Sequence, residues 1–111
     1  MNNILREYLN KLNNNHMDDL LSKYKEVIIY DNEKDIELGL LRFKEPPKGK
    51  AFLFKFPKEE ILDFHTVGMN FPINIYFFNS KKEIVFSYSS VSPGIDHISS
   101  KGQSKYVVEI P

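Results

Sequence analysis

Phe64-His65-Thr66-Val67-Gly68-Met69-Asn70-Phe71-Pro72-Ile73-Asn74-Ile75-Tyr76-Phe77-Phe78 joins a polar His-Thr pair to a proline-led run of alternating apolar residues. A period of two marks a strand with one buried face, so Ile73 to Phe78 is predicted to be a strand. Upstream, Phe52, Phe54 and Phe56 alternate with Leu53 and Lys55, which predicts a second strand over Ala51 to Phe56. Ahead of it, Glu45-Pro46-Pro47-Lys48-Gly49 cannot sit inside regular structure without breaking its hydrogen-bond ladder. Val27 to Tyr30 is a β-branched run ending in the turn-prone pair Asp31-Asn32. Glu33 to Leu41 then has the spacing of a short helix with Ile36, Leu40 and Leu41 inward. Downstream, strands are predicted at Ile84 to Val91 and Tyr106 to Ile110, separated by Asn79-Ser80-Lys81-Lys82 and by the Ser, Pro and Gly of residues 92 to 104.

Residues 1 to 25 read differently, as a helical extension. Ile4, Leu5, Tyr8, Leu9 and Leu12 recur at helical spacing, and a shorter helical piece at Met17 to Tyr24, capped by Asp18, puts Leu20, Leu21 and Tyr24 on one side. The expected fold is a mainly β single domain over residues 26 to 111. It is a small antiparallel β-sandwich or barrel-like sheet, α+β by content once the N-terminal amphipathic helix is added.

A chain of 111 residues buries enough surface for a core without disulfides or metal staples. Lys plus Arg and Asp plus Glu both total 15, so no net charge draws the protein onto phosphate backbones or anionic lipid. The absence of cysteine removes thiolate nucleophiles, iron-sulfur clusters and cysteine zinc sites. Arg6, Glu7 and Lys11 interrupt the apolar stretch a signal peptide needs, and no run approaches the ~20 residues that span a bilayer. A cytoplasmic protein without cofactor, nucleic acid or membrane partner is expected.

Read in order, Gly39-Leu40-Leu41-Arg42-Phe43, Ala51-Phe52-Leu53-Phe54, Phe64-His65-Thr66-Val67-Gly68-Met69, Phe71-Pro72-Ile73-Asn74, Ile84-Val85 and Lys105-Tyr106-Val107-Val108-Glu109-Ile110-Pro111 carry a resemblance. From about residue 27 to residue 111 the chain resembles the domain of unknown function 192 family. Members have a G-L-M-x-R segment, a phenylalanine-rich strand, an F-H-T-x-x-M-x-F-P-I-D segment and a closing Y-V-L-E-L-P-A-G. The resemblance implies a small β-sandwich and, the family being largely uncharacterised, no particular activity. Asn74 and Asn79 stand where the family has aspartates, and an amide neither takes a proton nor brings charge to a metal. Lys82 or its neighbour replaces a turn glycine, which predicts a different hairpin. The stop at Pro111, ahead of the family's A-G, predicts an open sheet edge. The N-terminal 25 residues would fill it, or a strand from another protein or a second copy of this chain.

His65 and Thr66 are the leading polar candidates, with Asn74 beside them in sequence. Imidazole and hydroxyl together bind an anion or polarise a carbonyl, whereas the structural alternative has both satisfying backbone groups at a strand crossing, with Gly68 as a turn or bulge. Asp63, His65, Asp96 and His97 form a metal site only if two distant segments meet, so no metal is expected. Asp31, Glu33 and Asp35 mimic the start of a calcium loop without its glycine and glutamate, and suit a helix N-terminus better. The lysines around Phe43, Phe52 and Phe54 resemble a base-stacking surface, but alternate phenylalanines are the ordinary inward face of a sheet. None of the serines at 87 to 104 sits in a nucleophile elbow. The function expected is a non-catalytic interaction or binding module, its contacts made through an open edge or through Ile4, Leu5, Tyr8, Leu9 and Leu12. The alternatives are a small-ligand or enzymatic site at His65 and Thr66, or an accessory part of a larger assembly such as a viral one.

Overall fold

The structure, a computed structural model, describes residues 16–111; the helix expected over Ile4, Leu5, Tyr8, Leu9 and Leu12 lies outside them. The elements are α1 (Met17–Leu21), β1 (Glu26–Tyr30), α2 (Glu33–Leu38), a 3-10 turn (Gly39–Arg42), β2 (Lys50–Phe64), β3 (Ile73–Phe78), β4 (Ile84–Val91) and β5 (Ile98–Ile110). The domain is mainly β, as its alternating pattern predicts. Its strands form one sheet in the order β1-β2-β5-β3-β4, antiparallel except for β1 and β2. That parallel pair follows from the chain between them: a parallel connection needs a crossover, and α2 with the 3-10 turn provides it. β5 therefore runs through the middle of the sheet, and the edges fall to β1 and β4 rather than to the strand that ends at Pro111.

Both faces of the central strands are covered, which explains why Ala51–Phe54 and Val107–Ile110 are buried residue after residue. On one face Tyr30, Phe52, Phe54, Ile75, Phe77 and Val107 pack beneath Leu40, Met69 and Phe71. The rings meet edge to face, as between Phe54 and Phe64 at 5.6 Å and 82°. On the other face, Ala51, Leu53, Phe78, Val108 and Ile110 are covered by Met17 and Leu20 of α1. The helix is fixed there by Met17 N–H donating to Lys82 O at 2.9 Å. Its N-cap is His16, whose Nδ1 accepts from Asp18 N–H, rather than Asp18 itself. Among the described residues no helix is long and apolar enough to cross a membrane.

β2 and β5 are both longer than their sequence patterns indicate. β2 continues through Pro57 because its register against β5 shifts between Lys55 and Glu60, a place where a missing N–H breaks no ladder bond. A second shift falls between Ile61 and Asp63. There the serines expected to form a loop act as ladder substitutes: Leu62 N–H donates to Ser100 Oγ, and the Ser100 and Ser104 hydroxyls donate to Gly102 O. Bulges increase local twist, and the first half of β5 leans over onto β4. Tyr88 Oη donates to Ser99 O at 2.8 Å, and a Cβ at Gly102 would lie 2.8 Å from Val85 Cγ1.

Past β2, Thr66 ties down the loop before β5. It is fully buried; its hydroxyl donates to Ser92 O at 2.7 Å and accepts from Ile95 N–H at 3.0 Å. Its backbone N–H donates to Ile95 O, and its carbonyl accepts from Met69 and Gly94.

Thr66→Val keeps the shape and removes two hydrogen bonds from a buried hydroxyl to the 92–95 turn, so urea unfolding should show a loss of about 1–3 kcal/mol, with Thr66→Ser losing less. Gly102→Ala should cost about 1–3 kcal/mol in the same measurement through overpacking against a stiff Val85 side chain. Adding Val85→Ala should recover part of that loss; no recovery would mean that this contact does not limit the packing.

Candidate functional site

The alternation of β5 decides what faces the aromatic side of the sheet. Tyr106, Val108 and Ile110 point toward α1, so Val107 and Glu109 point the other way. Glu109 is 4% exposed and lies opposite Phe52 on one neighbour and Ile75 on the other. Above this face sits the crossover. α2 starts at Asn32, whose Oδ1 accepts from Asp35 N–H at 2.9 Å. Arg42 latches its far end: Nε donates to Gly39 O, the guanidinium pairs with Asp35 at 3.4 Å, and it lies 4.6 Å from the centre of the Tyr30 ring. Gly39 joins α2 to the 3-10 turn at φ +47°, a left-handed conformation that favours glycine, with the Phe54 ring 3.5 Å from where a Cβ would be.

Roof and sheet border a half-open cavity of about 220 Å³. Phe54, Phe56, Phe64, Leu40 and Met69 supply its apolar wall, while Glu37, Asp63, His65 and Glu109 border it as polar groups. Three of these polar groups are exposed, and Glu109 is buried. Among the described residues no group hydrogen-bonds to the Glu109 carboxyl, and burial alone pushes its pKa up to about 8. Every sealed side-chain nitrogen or oxygen among those residues has a partner, so the unpartnered Glu109 carboxyl is not walled in and borders the cavity. The acid is thus predominantly neutral at pH 7 and carries a proton into an apolar space. Beside this cavity runs an open groove of about 780 Å³ that shares Ile36, Glu37 and Phe56 with it and adds Asp31, Glu33, Lys55 and Pro57.

Of the polar residues singled out from sequence, Asp63 and His65 reach the cavity; the His65 side chain is held by its own loop. Its Nδ1 accepts from Val67 N–H at 3.1 Å, so the neutral ring carries its proton on Nε2. The Thr66 hydroxyl is used entirely by the 92–95 turn, and Asn74 Oδ1 accepts from Ser90 N–H at 2.8 Å at the β3–β4 bulge. Asn79 Oδ1 likewise accepts from Lys81 and Glu83 N–H in the β3–β4 turn. At both positions where the family has aspartate, the side chain serves as an acceptor, a task an amide performs without charge.

Asp63 and His97 do meet, at 2.8 Å, and Asp63 Oδ1 also accepts from Ile98 N–H. The hydrogen bond and charge of Asp63 raise the pKa of the exposed His97. Among the described residues no three metal-binding side chains converge. Asp35 caps and latches α2, its carboxyl held below the usual range first by its hydrogen bond with Asn32 and then by Arg42. Glu109 went unremarked as a site residue, although a single carboxylate within Tyr106-Val107-Val108-Glu109-Ile110 is the signal that marks it.

Two solved structures share the fold. A candidate transcription regulator from Sinorhizobium meliloti 1021 is 20% identical with a TM-score of 0.70, over 76% of this chain and 66% of its own. A protein of unknown function from Novosphingobium aromaticivorans DSM 12444 is 15% identical with a TM-score of 0.70, over 76% and 61%. The chain thus spans just under two thirds of the length of each, and at these identities the likeness is one of fold. No curated protein matches the chain. The family model described as Uncharacterized ACR, DUF192, matches residues 15–111, taking in α1 and every strand. This chain belongs to the domain of unknown function 192 family.

Proposed function

We propose that this domain is a non-catalytic binding module whose site is the cavity between the α2 crossover and the sheet. The observation that carries the reading is Glu109, a buried carboxyl that borders an apolar cavity and has no hydrogen-bond partner among the described residues. An unsatisfied buried acid lowers stability, and a ligand group that satisfies it recovers the loss. Cavities of about 150 Å³ hold benzene, so about 220 Å³ suits a single ring or short chain with one polar head. Among the described residues no serine, threonine or tyrosine borders the cavity.

Amide NMR spectra recorded while benzyl alcohol is added test the site. Saturable shifts should centre on residues 36–41, 54–56, 64–69 and 109, and Leu38→Trp, which places a ring at the exposed mouth, should remove them. Shifts scattered over the α1 face would sink the reading.

The buried acid also has a pH signature. Its folded-state pKa, about 8, lies above the ordinary 4.5. Between those values the folded protein holds a proton that the unfolded chain has released, so stability falls as pH rises through that window and levels off above it. Tyr30, Glu37, Asp63 and His65 are the titratable groups near Glu109. Glu109→Gln should be more stable than wild type at pH 8 by a few kcal/mol and about equal to it near pH 4. Urea unfolding at the two pH values gives the answer, and parallel curves would place the carboxyl in contact with water.

A further inference from the structure

We propose that the cavity selects a protonated amine, an ammonium head on an apolar stem, with the adjoining groove receiving whatever extends beyond the stem. The inference rests on the binding reading above and adds the charge of the ligand. Every ionisable group bordering the cavity other than His65 is a carboxyl: Glu37, Asp63 and Glu109. Among the described residues no lysine or arginine borders it. An anionic ligand would face Glu37 and Asp63 at the mouth with no cation to answer its charge, whereas an ammonium is favoured at each step inward.

The walls suit the stem. Phe54, Phe56 and Phe64 offer ring surface to a methylene chain and π density to a cation. At the deep end the ammonium meets Glu109. The carboxyl, neutral in the empty pocket, releases its proton to solvent as the amine arrives, and the resulting carboxylate accepts hydrogen bonds from the ammonium. Glu109 and the bound amine together are therefore neutral, as Glu109 alone is in the empty pocket, and one proton leaves for each amine bound. The groove continues the same preference: Asp31, Glu33 and Glu37 stand along it against a single cation, Lys55, and Ile36, Glu37 and Phe56 belong to both spaces. Such chemistry is presented by a free alkylamine or by a lysine side chain on a peptide.

Isothermal titration calorimetry of the full chain at pH 7 separates these outcomes, using n-pentylammonium, Nα-acetyl-lysine-N-methylamide, n-pentanol and pentanoate as probes. At least one ammonium should bind roughly tenfold or more tightly than pentanol, and pentanoate should bind most weakly. Repeating the titration in buffers of different ionisation enthalpy should show protons released on amine binding. Glu109→Gln, which keeps the side-chain volume, should bring the ammonium down to the level of the alcohol and abolish the proton release. Tighter binding of pentylammonium identifies a free amine as the natural ligand type, and tighter binding of the lysine derivative a peptide-borne one. Equal binding of pentanol and the ammoniums would overturn the charge assignment and leave the pocket as a site for neutral molecules. If none of the four binds, the binding reading falls with it.

Discussion

The pairing of β5 with β2 on one side and β3 on the other is the constraint on which the rest depends. A strand enclosed between two neighbours and covered on both faces has no solvent-facing position to give to a polar residue. Tyr106 to Ile110 answers this with apolar side chains at every place but one. Glu109 is held on the aromatic face by the same alternation that places Val108 against α1, and a one-residue slip would reverse the whole set. The carboxyl is thus placed in the interior by register. The cavity above it persists because the crossover from β1 to β2 is latched at both ends, by Asn32 on α2 and by Arg42 over Tyr30.

Much of the fold was legible. Val27 to Tyr30, Ile73 to Phe78 and Ile84 to Val91 emerge as strands because their apolar residues face a core, and the helical pattern from Glu33 divides into α2 and a 3-10 turn at Gly39. Pattern reading failed where polar side chains stand in for main chain. The serines of β5 look like a loop because hydroxyls are ordinary turn formers, yet Ser100 and Ser104 complete hydrogen bonds that a bulged ladder leaves open. The strand pattern ends at Phe56, yet β2 runs on through Pro57, which lies in a stretch where β2 and β5 are out of register. The site was legible at Asp63 and His65 alone. Thr66 and Asn74 are polar residues whose neighbours are backbone groups from far along the chain, and local spacing does not reveal such partners.

The amides at Asn74 and Asn79 separate two kinds of change relative to the family pattern. Both hold backbone N–H groups of β4 or of the turn that leads into it, so the carbonyl oxygen retains the function and only the charge is lost. Lys82 takes φ +65° in the β3–β4 turn, so a left-handed position there carries the strain of a side chain. Acidity in this domain is instead concentrated on the other side of the sheet, around the crossover.

The order of the strands also governs how the domain is assembled in time. β3 and β4 are joined by a short turn and can pair while the rest of the chain is still searching, whereas Phe52 finds Glu109 only after a large part of the sequence has been brought round. The middle of the sheet is therefore completed after its β3–β4 flank. High sequence separation at the centre predicts slow folding for a chain of this size. During that interval the aromatic row of β2, which later walls the cavity, stands without its central neighbour.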